Sequence, residues 1–257
     1  MRYKITLDYN GAGFCGWQRQ PDAPTVQQTL EEGLSTLLHS AVAVTGAGRT
    51  DTGVNAVGYA AHFDSPEELD CGQLRYKLNA ILPRSMAVSE VVPVSDAFHA
   101  RFDATNRKYT YFLHRHKDPF IEGFSYFYGY PELDFDEMNR AAEMLLGTHD
   151  FTCFEKSGGD NKTSVCTVRE AYWKQYTPSH LEIMDAGDRN GGYWYFRISA
   201  DRFLRNMVRA TIGTLLEVGR GKRSAESVRG LIASGTRCDA GESVPGHALF
   251  LSEVRYD

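Results

Sequence analysis

The run Val44-Thr45-Gly46-Ala47-Gly48-Arg49-Thr50-Asp51-Thr52-Gly53-Val54-Asn55-Ala56 is the stretch around which the rest of this sequence is organised. Before it, Ala41 to Val44 is short and β-branched; after it, Val57, Tyr59, Ala61 and Phe63 alternate with other residues at the two-residue period of a half-buried strand. The run is expected to be a loop joining two strands. Its three glycines permit backbone angles closed to other residues and allow close approach by another segment, while Arg49 and Asp51 project as opposite charges. Two phosphate-binding readings fail. A Walker loop needs Lys followed by Ser or Thr after the glycines, and the dinucleotide fingerprint needs a helix directly downstream. Taken alone, the stretch also reads as a Gly-rich hairpin whose Asp caps its own turn.

Around this loop the pattern is strand, helix, strand, strand, helix, strand. Tyr3, Ile5, Leu7 and Tyr9 alternate, and Gly11, Gly13, Gly16, Pro21 and Pro24 mark a turn-rich segment. Thr25 with Gln28 three residues later has the form of a capping box, and Val26, Leu30, Leu34, Leu37 and Leu38 give the helix after it one apolar face. A second helix through Leu74, Leu78 and Ile81 stops at Pro83, and Ala87 to Val94 closes the half as a strand. This is the βαββαβ order of a ferredoxin-like unit. The order recurs from Arg107: Tyr109, Tyr111 and Leu113 alternate, and Asp134 with Glu137 caps a helix ending at Gly147. Strands follow over 164–176 and 193–199. A helix from about Arg202 places Arg202, Arg205 and Arg209 on one stripe, and a helix over 225–233 precedes a last strand over 248–255. The expected organisation is α+β, with one half over 1–105 and another over 106–257, sheets joined and a cleft between them. The segment 185–192 reads as an insertion without assignment.

Composition narrows the class. With 42% hydrophobic and 24% charged residues the chain is an ordinary globular protein. No apolar run approaches the ~20 residues of a membrane span, and Met1-Arg2-Tyr3-Lys4-Ile5 enters a strand pattern without a signal peptide, so a cytoplasmic location is expected. Five scattered cysteines and eight histidines form neither CxxC nor HExxH spacing, and His114 and His116 are spaced as neighbours on a strand. Reduced thiols and no metal are expected. The net charge of −5 argues mildly against a nucleic-acid partner, yet the charges segregate. Acids gather over 64–70 and 132–143, bases over 101–117 and 202–223, which leaves room for a positive face on an acidic protein; two solvated charged surfaces account for the same pattern.

The blocks in order carry a family resemblance. Gly48-Arg49-Thr50-Asp51-Thr52-Gly53-Val54-Asn55-Ala56 resembles the catalytic loop of the tRNA pseudouridine synthase A family, usually Gly-Arg-Thr-Asp-Ala-Gly-Val-His-Ala, whose Asp is catalytic. Tyr9-Asn10-Gly11 through Phe14-Cys15-Gly16-Trp17-Gln18-Arg19-Gln20 is similar to its amino-terminal segment. Phe98-His99-Ala100-Arg101-Phe102, Arg107-Lys108-Tyr109-Thr110-Tyr111, Gly147-Thr148-His149-Asp150-Phe151 and Phe203-Leu204-Arg205-Asn206-Met207-Val208-Arg209 resemble its later blocks. Thr52 and Asn55 depart from the usual Ala and His, and Pro245-Gly246-His247-Ala248-Leu249-Phe250-Leu251 only approximates the closing block.

The resemblance implies the pseudouridine synthase fold, a mixed, largely antiparallel sheet flanked by helices. It implies isomerisation of uridine to pseudouridine in tRNA, on the 3′ side of the anticodon stem and loop, by a homodimer without a cofactor. Neither DNA nor a membrane is implied as a partner. Asp51 is then the catalytic carboxylate, as nucleophile at C1′ or base at C2′. Arg209 is its paired cation, and Tyr109 the ring stacked on the target base. Arg49, Arg107, Lys108 and Arg205 are the expected RNA-binding residues, and Leu249 lines the pocket. Two other classes stay open: a non-catalytic RNA-binding protein of the same fold, and a hydrolase or lyase acting on a free nucleoside through Asp51, which normally needs a second carboxylate.

Overall fold

The computed structural model describes residues 1–256 except 130, 157, 159–161 and 188–190, so the unassigned 185–192 segment lies partly outside the described residues. The chain divides into two compact units, Met1–Arg107 with Phe250–Asp257, and Lys108–Leu249.

In the first unit the alternating residues of β1 (Arg2–Tyr9) turn Tyr3, Ile5, Leu7 and Tyr9 inward, all nearly or fully buried. The helix α1 (Val26–Leu38) begins where Thr25 accepts from the Gln28 backbone N–H at 3.4 Å; the Gln28 side chain bonds Glu32 instead of returning to the cap, so the capping box is half-formed. Next come β2 (Val44–Gly46), β3 (Asn55–Asp64), α2 (Cys71–Ile81) and β4 (Met86–Val94). The capping Asp70 starts α2, and Ile81 lies on its exposed side. The expected first strand at 41–44 instead occupies 44–46. Glu31, buried on α1, accepts from the Val44 N–H at 3.0 Å and anchors the strand there. Strand order is β4-β1-β3, and two short partners share the remaining edge of β3. Antiparallel β2 covers Ala61 to Phe63, and parallel β10 (Leu249–Tyr256) covers Asn55 and Ala56. The strand that closes the sequence therefore completes the first unit's sheet.

β3 is buried on both faces from Tyr59 to Phe63. On one side Phe63 stacks on Tyr3 at 5.6 Å. On the other, His62 Nδ1 accepts from the Ala100 N–H at 3.1 Å, so the 98–103 turn covers it.

The second unit comprises the main part of β5 (Ala104–His114), then β6 (Tyr126–Phe127), α3 (Phe135–Glu143), β7 (Gly147–Asp150), β8 (Val165–Gln175), α4 (Ser179–Ile183), β9 (Tyr193–Ala200), α5 (Met207–Gly219) and α6 (Ser227–Ser234). Its strand order is β5-β9-β8-β7, with β6 parallel to the end of β5. Asn139 fastens α3 to β8 through both atoms of its amide, donating to the Trp173 carbonyl and accepting from its N–H. Phe135 stacks flat on Trp194 at 3.6 Å. With β7–β8 and β8–β9 antiparallel here and β1 antiparallel to both β3 and β4 in the first unit, the chain is α+β with mixed, mostly antiparallel sheet pairing and flanking helices, the arrangement that the resemblance implies.

Two further expectations are corrected by the structure. The Arg stripe does not exist: Asn206 adopts φ 65°, a left-handed conformation that interrupts helical hydrogen bonding, so α5 starts at Met207 and leaves Arg202 and Arg205 outside it. His116 lies beyond the end of β5 and is not a strand neighbour of His114. Among the described residues no helix is long and apolar enough to cross a membrane.

Candidate active site

The loop between β2 and β3 is held from below by aromatic side chains. Trp17 stacks on Tyr59 at 4.2 Å, and Tyr9 meets Tyr59 edge-on at 5.6 Å. Their polar ends serve the loop backbone and side chains. The Tyr59 hydroxyl donates to the Gly48 carbonyl and accepts from the Gly48 N–H at 3.3 Å, and the Tyr9 hydroxyl bonds the Thr50 hydroxyl at 2.9 Å. Buried Tyr hydroxyls find partners because an unpaired one forfeits its water bonds, so these rings are a template for the loop.

The amino-terminal turn braces the same loop through the backbone. Trp17 N–H donates to the Thr50 carbonyl at 3.1 Å, Gly53 N–H to the Phe14 carbonyl at 3.3 Å, and Gly11 N–H to the buried Asn55 Oδ1 at 2.9 Å. Val54 N–H closes a turn onto the Asp51 carbonyl at 3.1 Å. Of the three loop glycines only Gly53 needs its conformational freedom, at φ 77°. Gly46 is required for space, since a Cβ there would lie 2.2 Å from the Tyr59 hydroxyl oxygen. Thr50 is buried at the base, Asp51 is half-buried and Arg49 is exposed, its Nε donating to Gln18 Oε1 at 3.2 Å. The result is one carboxylate on a rigid, strand-anchored turn.

Arg107 holds this turn from another side. Its guanidinium donates to the carbonyls of Ala47 (3.0 Å), Ala104 (2.6 Å) and Arg101 (2.5 Å). Three N–H···O bonds from one planar fork make it a clasp between the loop and the 101–104 turn.

In the second unit Tyr109 stands on β5, its ring edge-on to Phe203 at 5.1 Å. Arg209 lies in the first turn of α5. Its Nε donates to the Val244 carbonyl at 2.8 Å, while Val244 N–H donates to the Arg209 carbonyl at 3.2 Å. The segment before β10 is tied to α5 again by Gly241 N–H on Thr214 Oγ1 at 2.8 Å, and to itself by Arg237 bonds to the Gly241 carbonyl and Ser243 Oγ. Leu249 follows, 3% exposed. Tyr111 is fully buried; burial pushes its phenol well above the ordinary range, with Arg209 acting in the opposite sense. Lys108 is half-buried and Arg205 exposed, with the Arg205 carbonyl accepting from Lys156 N–H at 3.0 Å.

Residues that pattern reading missed are the supports: Tyr59 as loop template, Asn55 as acceptor for Gly11, Arg107 as clasp, Val244 as partner of Arg209. Tyr59 stood in the alternating strand, and Asn55 and Arg107 in the motif blocks, but none of these signals gave the supporting role. Asn55, Arg107 and Val244 bond across long sequence separations. Among the described residues no three His, Cys, Asp or Glu side chains gather as a metal site.

Known proteins match this framework along its length. A family model described as tRNA pseudouridine synthase matches residues 6–103 and 141–257. The chain is 48% identical over 257 residues to a tRNA pseudouridine synthase A of Parabacteroides distasonis, covering 99% of this chain and 96% of that protein. It is 46% identical over 257 residues to one of Porphyromonas gingivalis, covering 99% and 97%, and 39% identical over 261 residues to one of Bacillus subtilis, covering 100% of both. With its sheets, its braced Asp loop and these matches taken together, the chain belongs to the tRNA pseudouridine synthase family.

Proposed function

We propose that this protein isomerises uridine to pseudouridine in the anticodon stem and loop of tRNA, with Asp51 as the catalytic carboxylate. The observation that carries the reading is the rigid turn around Asp51, braced by Trp17, Tyr59 and the Gly11–Trp17 segment, within a chain similar end to end to tRNA pseudouridine synthases A. The reaction breaks the C1′–N1 bond, turns the uracil, bonds C5 to C1′, gives up the C5 proton to water and returns one proton from solvent to N1, so substrate and product are isomers. It is redox-neutral, and no outside group enters the product.

Asp51 acts at C1′ as nucleophile or at C2′ as base. Arg209 is the cation that pairs with the Asp51 carboxylate. Tyr109 stacks on the target base, and Leu249 lines its pocket. Arg49, Lys108 and Arg205 contact phosphates; Arg107 adds charge while its N–H donors hold the loop. The enzyme works as a homodimer in the cytoplasm, without cofactor and without DNA as a partner.

The test is an unmodified tRNA transcript labelled with tritium at uracil C5. Wild-type protein should release tritium to water without added cofactor, and Asp51→Asn should release none while still binding the transcript. Full activity in Asp51→Asn would sink the mechanism. Appearance of free uracil in place of pseudouridine would point to the nucleoside hydrolase reading.

A further inference from the structure

The turn 98–103 is fixed from inside. Ala100 is fully buried; its N–H donates to His62 Nδ1 at 3.1 Å and its carbonyl accepts from the Tyr256 hydroxyl at 2.7 Å. Phe98 packs on Tyr256 at 5.1 Å. Within the turn, Asp103 Oδ2 accepts from the His99 N–H at 2.7 Å, and Asp103 N–H donates to the His99 carbonyl at 3.0 Å. His99 Nδ1 accepts from the backbone N–H groups of Arg101 and Phe102 at 3.2 and 3.3 Å. Every turn of this backbone is pinned.

What the pinned turn presents is an apolar ring. Phe102 is 74% exposed, which contributes almost nothing to folding. It is not a loose side chain: its ring lies 4.2 Å from the His99 imidazole at 31°, and the Arg101 guanidinium is 5.7 Å from its centroid. An aromatic ring held in a part-built stack beside a permanent cation, with most of its surface open, is the geometry that takes a nucleobase by its face and the adjoining phosphate by charge. The acid of the turn, Asp103, turns its carboxylate to the His99 N–H. Position agrees as well: one Arg107 nitrogen, Nη2, donates both to the Arg101 carbonyl and to the Ala47 carbonyl at the start of the Asp51 loop.

From this we propose that Phe102, backed by His99 and flanked by Arg101, is a nucleobase-stacking subsite for an RNA nucleotide beside the one on which Asp51 acts. The subsite rests on the tRNA-modifying reading above and extends it by one base. Stacking recognises any base by its π-face, so the subsite adds affinity and register, while the choice of target remains with the Asp51 pocket.

The experiment compares wild type with Phe102→Ala, Phe102→Trp and Arg101→Gln on unmodified tRNA transcript, measuring tritium release under steady state, transcript affinity against salt, sedimentation and melting temperature. Phe102→Ala should raise KM and Kd about tenfold with kcat unchanged, and leave the log-log salt slope unchanged, because a lost stack releases no counterions. Phe102→Trp should restore wild-type affinity. Arg101→Gln should lower the salt slope by about one. Unchanged affinity in Phe102→Ala overturns the subsite. So does a shift of Phe102→Ala towards smaller species in sedimentation, which would mean that the ring is covered by a second copy of the chain. If wild-type protein neither binds transcript nor releases tritium, it is the tRNA reading itself that fails.

Discussion

The indole of Trp17 stacks on the ring of Tyr59 with centroids 4.2 Å apart and planes 30° apart, and the Tyr59 hydroxyl engages both the N–H and the carbonyl of Gly48. An amino-terminal residue and a mid-strand residue thereby set the height of the loop that bears Asp51. Tyr59→Phe keeps the stack but removes both hydroxyl bonds, and should cost about 1–2 kcal/mol in urea unfolding. Its tritium release should fall further than that loss of stability accounts for. Gly46→Ala places a methyl group against the Tyr59 hydroxyl oxygen and within 2.6 Å of the Trp17 ring, so the stack must open, at about 1–3 kcal/mol. Wild-type stability in Gly46→Ala would show that the loop is not seated on the stack.

Arg209 is expected to matter through charge as well as position. Arg209→Ala removes the cation proposed for Asp51, so tritium release should fall by about tenfold or more while transcript binding, which rests on phosphate contacts elsewhere, is largely kept. Arg209→Lys should recover only part of the rate, since an ammonium keeps the charge but loses the planar donors, one of which holds Val244. The measurement is kcat and KM for tritium release by the three proteins, beside transcript affinity. Unchanged kcat in Arg209→Ala would refute the pairing and leave the role of Asp51 intact.

His62 gives the fold its own pH dependence. The ring is 5% exposed and Nδ1 accepts from Ala100 N–H, so burial, and then the charge of Arg2, push its pKa down from 6.5 to about 4; Asp64 and Asp103 act weakly in the opposite sense. Because the folded-state value is depressed, the unfolded chain takes up the proton first as pH falls. The associated stability is complete above pH 6.5, drains away between 6.5 and about 4, and loses nothing further below that, amounting to at most about 3 kcal/mol. Urea unfolding across this window should show the loss, and His62→Gln, which keeps an acceptor but does not titrate, should flatten it. An equal slope in His62→Gln would assign the effect to other groups.

The cysteines should react in an order set by burial. Cys153 and Cys166 are buried, which pushes their thiols up to about 11 and about 12, whereas Cys238 is exposed. A maleimide at neutral pH should label Cys238 at once and reach Cys153 and Cys166 only after denaturation. Prompt labelling of either buried thiol in native protein would mean that its surroundings open under native conditions.

Local physics made much of this molecule readable in the linear sequence. Period-two alternation located β1 and the strand after the loop, and Thr25 and Asp134 sit before the helices they cap. These are interactions within a few residues, and the sequence states them directly. The ordered motifs likewise brought Asp51, Tyr109 and Arg209 forward as candidates before any coordinates. Tertiary structure decided what each of them rests on. That Tyr59 serves Gly48, that Arg107 spends its donors on Ala47, Arg101 and Ala104, and that β10 pairs with β3 all join residues far apart in sequence, where no periodicity connects them. The Arg stripe expected on a helix from 202 failed for the same reason: helical spacing predicts a shared face only while the helix lasts, and the left-handed turn at Asn206, tied through its amide to Ser243, starts α5 too late for Arg202 and Arg205.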